Sequence, residues 1–291
     1  MRKLLLMLAV VASILAGSVS PAKAITGNFT VDTVHNYVGL IAFYDKDGNF
    51  VWRCSGSLLN PTTVLTAGHC TDTSGGAVSA IGWFSAEGGA QYNPATGAED
   101  PLTGYPNECL NSTAYPCSTA STLVEYGFNG LHKYGTDNKD VGMVILDHPI
   151  YPVGGFGSLA AADSVSSLHQ GTQFTITGYG VSDEKPAVVS YRKRLMGTAQ
   201  LINTISTPNS GFNMQLSTNP GKGKAGTCFG DSGGPILYDS SNTIVGVNSF
   251  VKNGQCAGTG YAYRTDQPAV LSWILAHADY TYGGITVSPL H

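Results

Sequence analysis

Charged residues are scarce in this chain: Asp, Glu, Lys and Arg make up 12% of its 291 residues, roughly half of their usual share in a soluble protein. This scarcity excludes a long coiled coil or a helical repeat, because both are rich in Ala, Glu, Lys and Leu. The formal net charge of −4 gives no basic footprint for nucleic acid. Disorder is disfavoured because 42% of the residues are hydrophobic and 10% are aromatic, which is enough to bury a core.

Long hydrophobic runs are also lacking beyond residue 24, whereas residues 1–24 predict a secretory signal peptide. Two basic residues precede an apolar run over residues 4–16, and Ala22-Lys23-Ala24 supplies a small-residue cleavage site. The apolar run is too short for a stable membrane-spanning helix, which weakens the alternative of an N-terminal anchor. We therefore expect a secreted, extracellular protein with no membrane contact after signal removal.

Six cysteines follow residue 24, and an even number in an exported chain favours disulfides over metal ligands. No Cys-x-x-Cys or His-x-x-x-His spacing competes for zinc, so we expect no metal and no cofactor. The cysteine count alone leaves the pairing open. Pairing of neighbours along the chain would join Cys54 to Cys70, Cys109 to Cys117 and Cys228 to Cys256.

Short apolar segments separated by turn residues predict an all-β chain built as a sandwich or a barrel. The strand candidates are residues 37–44, 50–52, 141–146, 173–177, 192–202, 213–217, 235–238, 243–251 and 260–264. Residues 45–49 favour a hairpin turn, since a calcium loop starting there would need a glutamate where Gly56 stands.

The remaining segments complete the expected organisation. Residues 74–130 are rich in small and polar residues and predict a surface insertion. Residues 268–278 have helical spacing of apolar side chains, and 279–291 are predicted to be a tail. The basic run 192–194 is predicted to be a solvated stretch of strand.

Three segments contain the residue types needed for nucleophilic catalysis: 66–70 with His69, 140–144 with Asp140, and 228–235 with Ser232. A serine hydroxyl is inert at neutral pH unless an imidazole takes its proton, and a buried carboxylate sets the imidazole tautomer. The glycines around Ser232 also fit the nucleophile elbow of α/β-hydrolases. That fold requires the order serine, acid, histidine, whereas the order here is His69, Asp140, Ser232, so we exclude it.

These motifs resemble those of the chymotrypsin-like (trypsin-like) serine proteases. Residues 66–70 (Thr-Ala-Gly-His-Cys) and 230–235 (Gly-Asp-Ser-Gly-Gly-Pro) match the family's histidine and serine motifs in full. Residues 178–180 (Gly-Tyr-Gly) are similar to the Gly-Trp-Gly that opens the second barrel. The resemblance covers nearly the whole chain after residue 24.

The resemblance implies an all-β fold of two antiparallel six-stranded β-barrels with a C-terminal helix. The peptidase domain would cover residues 25–278, with the first barrel at about 25–150, the second at about 165–265 and the helix at about 268–278. The site would lie in the cleft between the barrels.

The resemblance also implies a role for each site residue. His69 is the expected base, Asp140 the carboxylate that orients it and Ser232 the nucleophile, with an oxyanion hole formed by the N–H groups of Gly230 and Ser232. Ser249 is similar to the family serine that hydrogen-bonds the buried aspartate, although it could equally be an ordinary strand residue. The resemblance supports the disulfides Cys54–Cys70 and Cys228–Cys256, whereas Cys109–Cys117 depends on proximity alone.

The same resemblance implies how the protein is activated and which substrates it prefers. Cleavage after residue 24 would leave Ile25 at the N-terminus, where the family's ammonium pairs with the aspartate beside the nucleophile, here Asp231. Gly226 stands where trypsin-type enzymes carry the aspartate of the specificity pocket, and the neighbouring Thr227 brings no charge. Val251 falls where a glycine usually leaves the pocket open. We therefore expect cleavage after small or medium apolar residues and not after Lys or Arg.

The function predicted is that of a secreted serine endopeptidase acting through an acyl-enzyme. Its expected partners are protein or peptide substrates, with a protein inhibitor as a further candidate, and we expect a monomer that binds no nucleic acid. Two other functions stay open: a catalytically inactive, protease-like binding protein, and an esterase using the same triad.

Overall fold

The computed structural model describes residues 25–87, 104–131, 136–182, 190, 192–204, 210–219, 222–252 and 254–290. The predicted signal peptide, residues 1–24, lies outside the described residues. Within the part of the chain that is described, no helix is both long enough and apolar enough to cross a membrane.

The described residues form eighteen strands, two α-helices and two short 3-10 turns. In chain order the strands are β1 (Thr26–Gly27), β2 (Phe29–Val31), β3 (Val38–Tyr44), β4 (Phe50–Leu58), β5 (Thr63–Thr66), β6 (Ser79–Trp83), β7 (Cys117–Ala120), β8 (Thr122–Glu125), β9 (Gly142–Ile145), β10 (Ser158–Ala160), β11 (Gln173–Gly178), β12 (Leu195–Asn203), β13 (Asn213–Thr218), β14 (Ala225–Gly226), β15 (Pro235–Tyr238), β16 (Thr243–Val251), β17 (Gly258–Arg264) and β18 (Val287–Ser288). The helices are α1 (Gly68–Thr71) and α2 (Pro268–His277), and the 3-10 turns cover Thr73–Gly75 and Ser164–Ser167.

The first barrel is an antiparallel sheet with the strand order β7-β6-β3-β4-β5-β9-β8. Only Ser121 separates β7 from β8; β7 pairs with β6 and β8 pairs with β9, so the two halves of one interrupted strand close the barrel. Asp147 holds the interruption by accepting hydrogen bonds from the N–H and hydroxyl of Ser121 and from the hydroxyl of Thr119. With β7 and β8 counted as one strand, this barrel has six strands.

The second barrel closes without interruption. Its six strands pair antiparallel in the order β11-β12-β13-β17-β16-β15, and β15 pairs again with β11. The predicted fold of two six-stranded barrels followed by a C-terminal helix is therefore confirmed. Apolar side chains fill both interiors, and β3, which is apolar along its whole length, is buried at every residue.

Both ends of the described chain lie against strands that are distant in sequence. β1 pairs with β14 and β2 pairs with β12, so residues 26–31, which the sequence assigns to the first barrel, lie against the second. After α2, the predicted tail contributes β18, which pairs in parallel with β10. The amide of Asn60 also donates to the carbonyls of Asp279 and Gly283.

The expectation of a solvated 192–194 run is wrong for Arg194, which is fully buried. Its guanidinium donates to the carbonyl of Val38 at 3.0 Å and to the side-chain oxygen of Asn36 at 2.8 Å. Its Nε lies 3.7 Å from a carboxylate oxygen of Asp32, which is also buried. Arg194 directly precedes β12, and its side chain meets acceptors that are distant in sequence and that the local sequence does not reveal.

Candidate active site

His69 is held in place by the junction of β5 and α1. β5 is buried along its whole length and ends at Thr66, and His69 follows as the second residue of α1. The next residue, Cys70, forms a disulfide with Cys54 on β4, and its carbonyl accepts a hydrogen bond from the indole of Trp52 at 3.1 Å. These contacts anchor the helix turn that carries the imidazole.

Asp140 binds His69 through both the backbone and the ring. Its Oδ1 accepts the backbone N–H of His69 at 2.8 Å and lies 2.9 Å from Nδ1 of the ring, while Oδ2 lies 3.1 Å from the same nitrogen. The carboxylate is fully buried, whereas the imidazole side chain is 20% exposed. Nδ1 is therefore occupied by the carboxylate.

The electrostatics of this pair favour charge on both groups. Burial on its own lowers the pKa of His69, but the charge and hydrogen bond of Asp140 outweigh it and raise that pKa above its usual value. Burial likewise opposes ionisation of Asp140, but the His69 charge and hydrogen bond and the Ser249 hydroxyl hold its pKa below the usual range. A proton arriving on the imidazole is thus stabilised by a carboxylate that stays ionised.

Ser249 donates a short hydrogen bond to Oδ2 of Asp140. The register of β16 against β17 shifts between Asn248 and Phe250, so Ser249 is the extra residue of a β-bulge. A bulge redirects a side chain out of the regular alternation of a strand. The sequence leaves two interpretations of Ser249 open, and in the structure its hydroxyl contacts the aspartate rather than serving only as a strand residue.

Ser232 lies in a loop fastened to the first barrel. Its carbonyl accepts the N–H of Ser55 on β4 at 2.8 Å, and the next N–H, that of Gly233, donates to the carbonyl of Asn248 at 2.8 Å. Gly233 has φ +77°, and a Cβ there would collide with the hydroxyl of Thr66. Only glycine permits this close approach between the serine loop and the strand that leads to His69.

His69 and Ser232 line the same pocket. Among the described residues their side chains do not hydrogen-bond to each other directly; in the absence of substrate such contacts are often long and tighten only in the complex. The N–H groups of Gly230 and Ser232 also have no acceptor among the described residues. The carbonyl of Gly230 accepts the hydroxyl of Ser55 at 2.8 Å, which fixes the orientation of that residue.

Asp231 is fully buried beside this loop. Its carboxylate accepts the N–H of Gly180 at 2.8 Å and that of Cys228 at 2.9 Å, and no cationic group lies within 4 Å in the described part of the chain. Burial raises the pKa of Asp231 to about 7, although the two N–H groups and the charge of Arg53 act in the opposite direction. Among the described residues this buried carboxylate therefore forms no direct ion pair.

Ile25 and Arg53 are both buried, but only Ile25 is predicted from the sequence. Ile25, singled out by the sequence, is completely buried and precedes β1. Arg53, which no sequence motif marks, is buried on β4 and donates to the carbonyl of Tyr179 and, at 3.0 Å, to the hydroxyl of Ser190. Its charge beside Asp231 could be found only from the packing of the two barrels.

The pocket next to Ser232 has mostly apolar walls. It is lined by His69, Leu131, Thr227, Cys228, Phe229, Ser232, Asn248, Ser249, Phe250 and Val251. Apart from His69 these residues carry no ionisable side chain, since Cys228 is bonded to Cys256. Thr227 and Val251, two of the three residues predicted for the specificity pocket, line this pocket.

Gly226 does not line this pocket. It lies in β14 opposite Thr26, and a Cβ at this position would lie 2.6 Å from the Thr26 hydroxyl and 2.9 Å from Cβ of Thr218. A side chain there would meet the N-terminal strand and β13. The uncharged wall of the pocket thus comes from Thr227 and the β16 residues.

The three disulfides of the structure are Cys54–Cys70, Cys109–Cys117 and Cys228–Cys256, the pairing that neighbouring cysteines suggest. In the described residues one cluster, formed by Cys54, His69 and Cys70, brings potential metal-ligand atoms within 4.8 Å of one another. Its two sulfur atoms are joined in a disulfide and are not available as thiolate ligands.

Two closed β-barrels, with a histidine–aspartate pair on one and a serine loop on the other, define a protein of the chymotrypsin fold. The sequence model of the trypsin family matches residues 118–274, more than half of the chain. The chain belongs to the trypsin family.

Relatives of known class agree with this assignment. The chain is 26% identical over 277 residues to serine protease 1 of Drosophila melanogaster, covering 90% of this chain and 87% of that protein. It is 25% identical over 239 residues to a collagenase of Hypoderma lineatum, covering 81% and 76% of the two chains.

Solved structures show the same fold. A collagenase structure superposes with a TM-score of 0.59 at 20% identity, covering 88% of this chain and all of that one. A mutant of human heparin binding protein superposes with a TM-score of 0.61 at 16% identity, covering 88% and 98% of the two chains. Fold neighbours thus include a protein named for binding as well as one named for proteolysis, so activity has to be argued from the site.

Proposed function

We propose that this protein is a secreted serine endopeptidase. The observation that carries the proposal is the buried Asp140 carboxylate, which binds both the backbone and the ring of His69 and places that imidazole in one pocket with Ser232. Since Nδ1 of His69 is held by the carboxylate, Nε2 is left to act as a base toward the serine. The signal peptide predicted over residues 1–24 and the three disulfides support secretion.

The proposed chemistry is acyl transfer in two halves. Ser232 attacks the peptide carbonyl while His69 takes the hydroxyl proton and then gives it to the leaving amine. The negative charge on the carbonyl oxygen is received by the N–H groups of Gly230 and Ser232, which have no acceptor among the described residues. Water, deprotonated by His69, then releases the acyl group from the serine.

For specificity we propose cleavage after small or medium apolar residues and not after Lys or Arg. The mostly apolar pocket beside Ser232 has no carboxylate among its lining residues that could pair with a basic side chain, and the branched side chain of Val251 would narrow it. The fully buried Asp140 and Asp231 are both engaged in other hydrogen bonds.

For activation we propose that removal of the signal peptide creates the active N-terminus at Ile25. The residue is already buried, Thr26 is paired with Gly226, and Asp231 lacks a cation within 4 Å among the described residues. A free ammonium at Ile25 would supply that charge.

The test is hydrolysis of peptide and ester substrates by the secreted protein and by Ser232→Ala. We expect wild type to cleave both and the variant to lose roughly 10⁴-fold or more in kcat for both, because the nucleophile is absent. Cleavage of esters alone would indicate the esterase alternative. Absence of cleavage in both proteins would indicate a binding protein, and equal activity in both would exclude Ser232 as the nucleophile.

A further inference from the structure

Asn248 is a buried amide in the wall of the candidate specificity pocket. The residue is 3% exposed and lines the pocket together with Ser232 and Val251. Its backbone is fully engaged, since its N–H donates to the carbonyl of Gly234 at 2.9 Å and its carbonyl accepts the N–H of Gly233 at 2.8 Å. These bonds fix the position of the side chain at the base of the serine loop.

The side-chain amide of Asn248 has no partner of its own. Its Nδ2 is buried and donates to no acceptor in the described part of the chain, and no described residue hydrogen-bonds to its Oδ1. Buried polar atoms in folded proteins are almost always paired. The amide can turn by half a revolution, so either its donor or its acceptor can face the pocket.

Thr227 supplies a second unpartnered group to the same pocket. It is 7% exposed, and its hydroxyl forms no hydrogen bond with the described residues. A Cβ on Gly260 would lie 3.3 Å from this hydroxyl, so the glycine of β17 leaves space beside it. Two polar groups from different segments, neither with a hydrogen-bond partner among the described residues, therefore line one mostly apolar pocket.

We infer that Asn248 and Thr227 select an uncharged substrate side chain that can both donate and accept a hydrogen bond, namely a carboxamide or a hydroxyl. The Asn248 amide and the Thr227 hydroxyl can each donate and accept a hydrogen bond. A carboxamide or hydroxyl on the substrate can do the same, so it can pair with both residues. Val251 limits the length, and the lack of a cationic lining residue other than His69 leaves a carboxylate unpaired. The inference rests on the proposed protease function; it keeps the proposed limit on side-chain size but ranks polar side chains above apolar ones of equal size.

The experiment compares substrates that differ only in polarity at equal size. Peptides with Asn or Leu, and with Thr or Val, before the scissile bond are tested with the secreted enzyme. We expect kcat/KM to be roughly tenfold higher for the Asn peptide than for the Leu peptide, and for the Thr peptide than for the Val peptide. This is the effect of one or two neutral hydrogen bonds in a buried site. Asn248→Leu and Thr227→Val each keep the approximate side-chain size and should bring these ratios close to one or below.

Asn213→Leu is the matched control. Asn213 is also 3% exposed, lies in the same barrel and has an unpartnered side-chain oxygen among the described residues, but it does not line the pocket. Its substitution should leave the Asn-to-Leu ratio unchanged. A wild-type ratio at or below one, or the same ratio in Asn248→Leu and Thr227→Val as in wild type, would overturn the inference, as would a higher rate with Asp than with Asn.

A binding measurement separates this inference from the proposed function. Ser232→Ala cannot form an acyl-enzyme, but its pocket is intact, so it can be titrated by calorimetry with peptides ending in Asn or Leu. Tighter binding of the Asn peptide, lost in the double variant with Asn248→Leu, supports the inference even if wild type cleaves nothing. Equal binding of the two peptides contradicts it, whatever the outcome of the hydrolysis assay.

Discussion

A single hydroxyl completes the hydrogen bonding of the buried Asp140. The carboxylate has its Oδ1 against His69 and receives the Ser249 hydroxyl on Oδ2. A hydrogen bond to a charged group contributes about 1.5–3 kcal/mol, more than a neutral one. In the proposed mechanism Ser249 would act through Asp140, whose carboxylate it binds with this hydrogen bond.

Removal of that hydroxyl should therefore lower activity. We expect Ser249→Ala to reduce kcat/KM by roughly tenfold or more, since a loss of about 1.4 kcal/mol corresponds to a factor of ten. Ser249→Thr keeps the donor and should recover most of the rate. The measurement is steady-state hydrolysis of a peptide substrate by the three proteins.

Ser241→Ala provides the comparison for this experiment. Its hydroxyl donates to the carbonyl of Tyr238 in the turn between β15 and β16, away from the pocket. Unchanged kcat/KM is expected there. If Ser249→Ala were as active as Ser241→Ala, the carboxylate would not depend on this donor.

At the scale of secondary-structure elements, a buried ionic cluster ties the segment between β2 and β3 to the second barrel. The Asp32 carboxylate accepts the hydroxyl of Thr177 on β11 at 2.7 Å and lies 2.9 Å from Nδ1 of His35, and Arg194 lies beside it. Burial alone would raise the pKa of Asp32, but the hydrogen bonds and charge of His35 and the Thr177 hydroxyl hold it well below its usual range. Its folded-state pKa is depressed, so the stability it contributes is present above about pH 4 and is lost as the solution becomes more acidic.

Arg194→Met should leave the Asp32 carboxylate buried but without the neighbouring guanidinium. Breaking a buried pair by removing one partner costs about 3–5 kcal/mol. The neighbouring Lys193→Met is the control, because Lys193 and Glu87 form an exposed pair, with side chains 40% and 53% accessible, and such pairs contribute about 0–1 kcal/mol. Denaturant unfolding at pH 7 measures both; equal losses in the two variants would contradict the role of Arg194.

The sequence predicts those elements whose signals are local. Pro235–Tyr238 and Thr243–Val251 have the predicted bounds, because each is an apolar run between turn residues. The placement of β1, β2 and β18 depends instead on pairing with strands far along the chain, which periodicity does not encode.

The same distinction applies to the candidate site. His69, Asp140 and Ser232 stand in recognisable motifs, and the structure places His69 and Ser232 in one pocket with Asp140 hydrogen-bonded behind the imidazole. Arg53 and Asn248 belong to no motif, and their surroundings arise only when the two barrels and the serine loop pack together. The resemblance places Gly226 in the pocket by its position along the chain, whereas strand pairing between β1 and β14 places it against Thr26.

For the molecule as a whole, the proposed activation at Ile25 would link N-terminal processing to stability through the charge of Asp231. In the folded chain the pKa of this carboxyl is raised to about 7 by burial, above an unfolded value of about 4. The raised pKa of an acid means that the neutral form is favoured by folding, so stability is highest below the unfolded pKa and is lost as the pH rises toward 7. A free ammonium at Ile25 would favour the ionised form and remove that loss.

Two forms of the protein, beginning at Ile25 and at Ala24, should therefore differ in their pH dependence. The stability advantage of the Ile25 form should grow between pH 5.5 and pH 7 by about 2 kcal/mol, since this window covers about 1.5 pH units below the pKa of about 7 and each unit corresponds to about 1.36 kcal/mol. Thermal unfolding at a series of pH values measures this, and a shift of several degrees is expected for a domain of this size. Asp231→Asn has no charge to titrate and should abolish the pH-dependent part of the difference. Parallel stability curves for the two forms with Asp231 intact would mean that the ammonium does not reach this carboxylate, and that another group activates the serine loop.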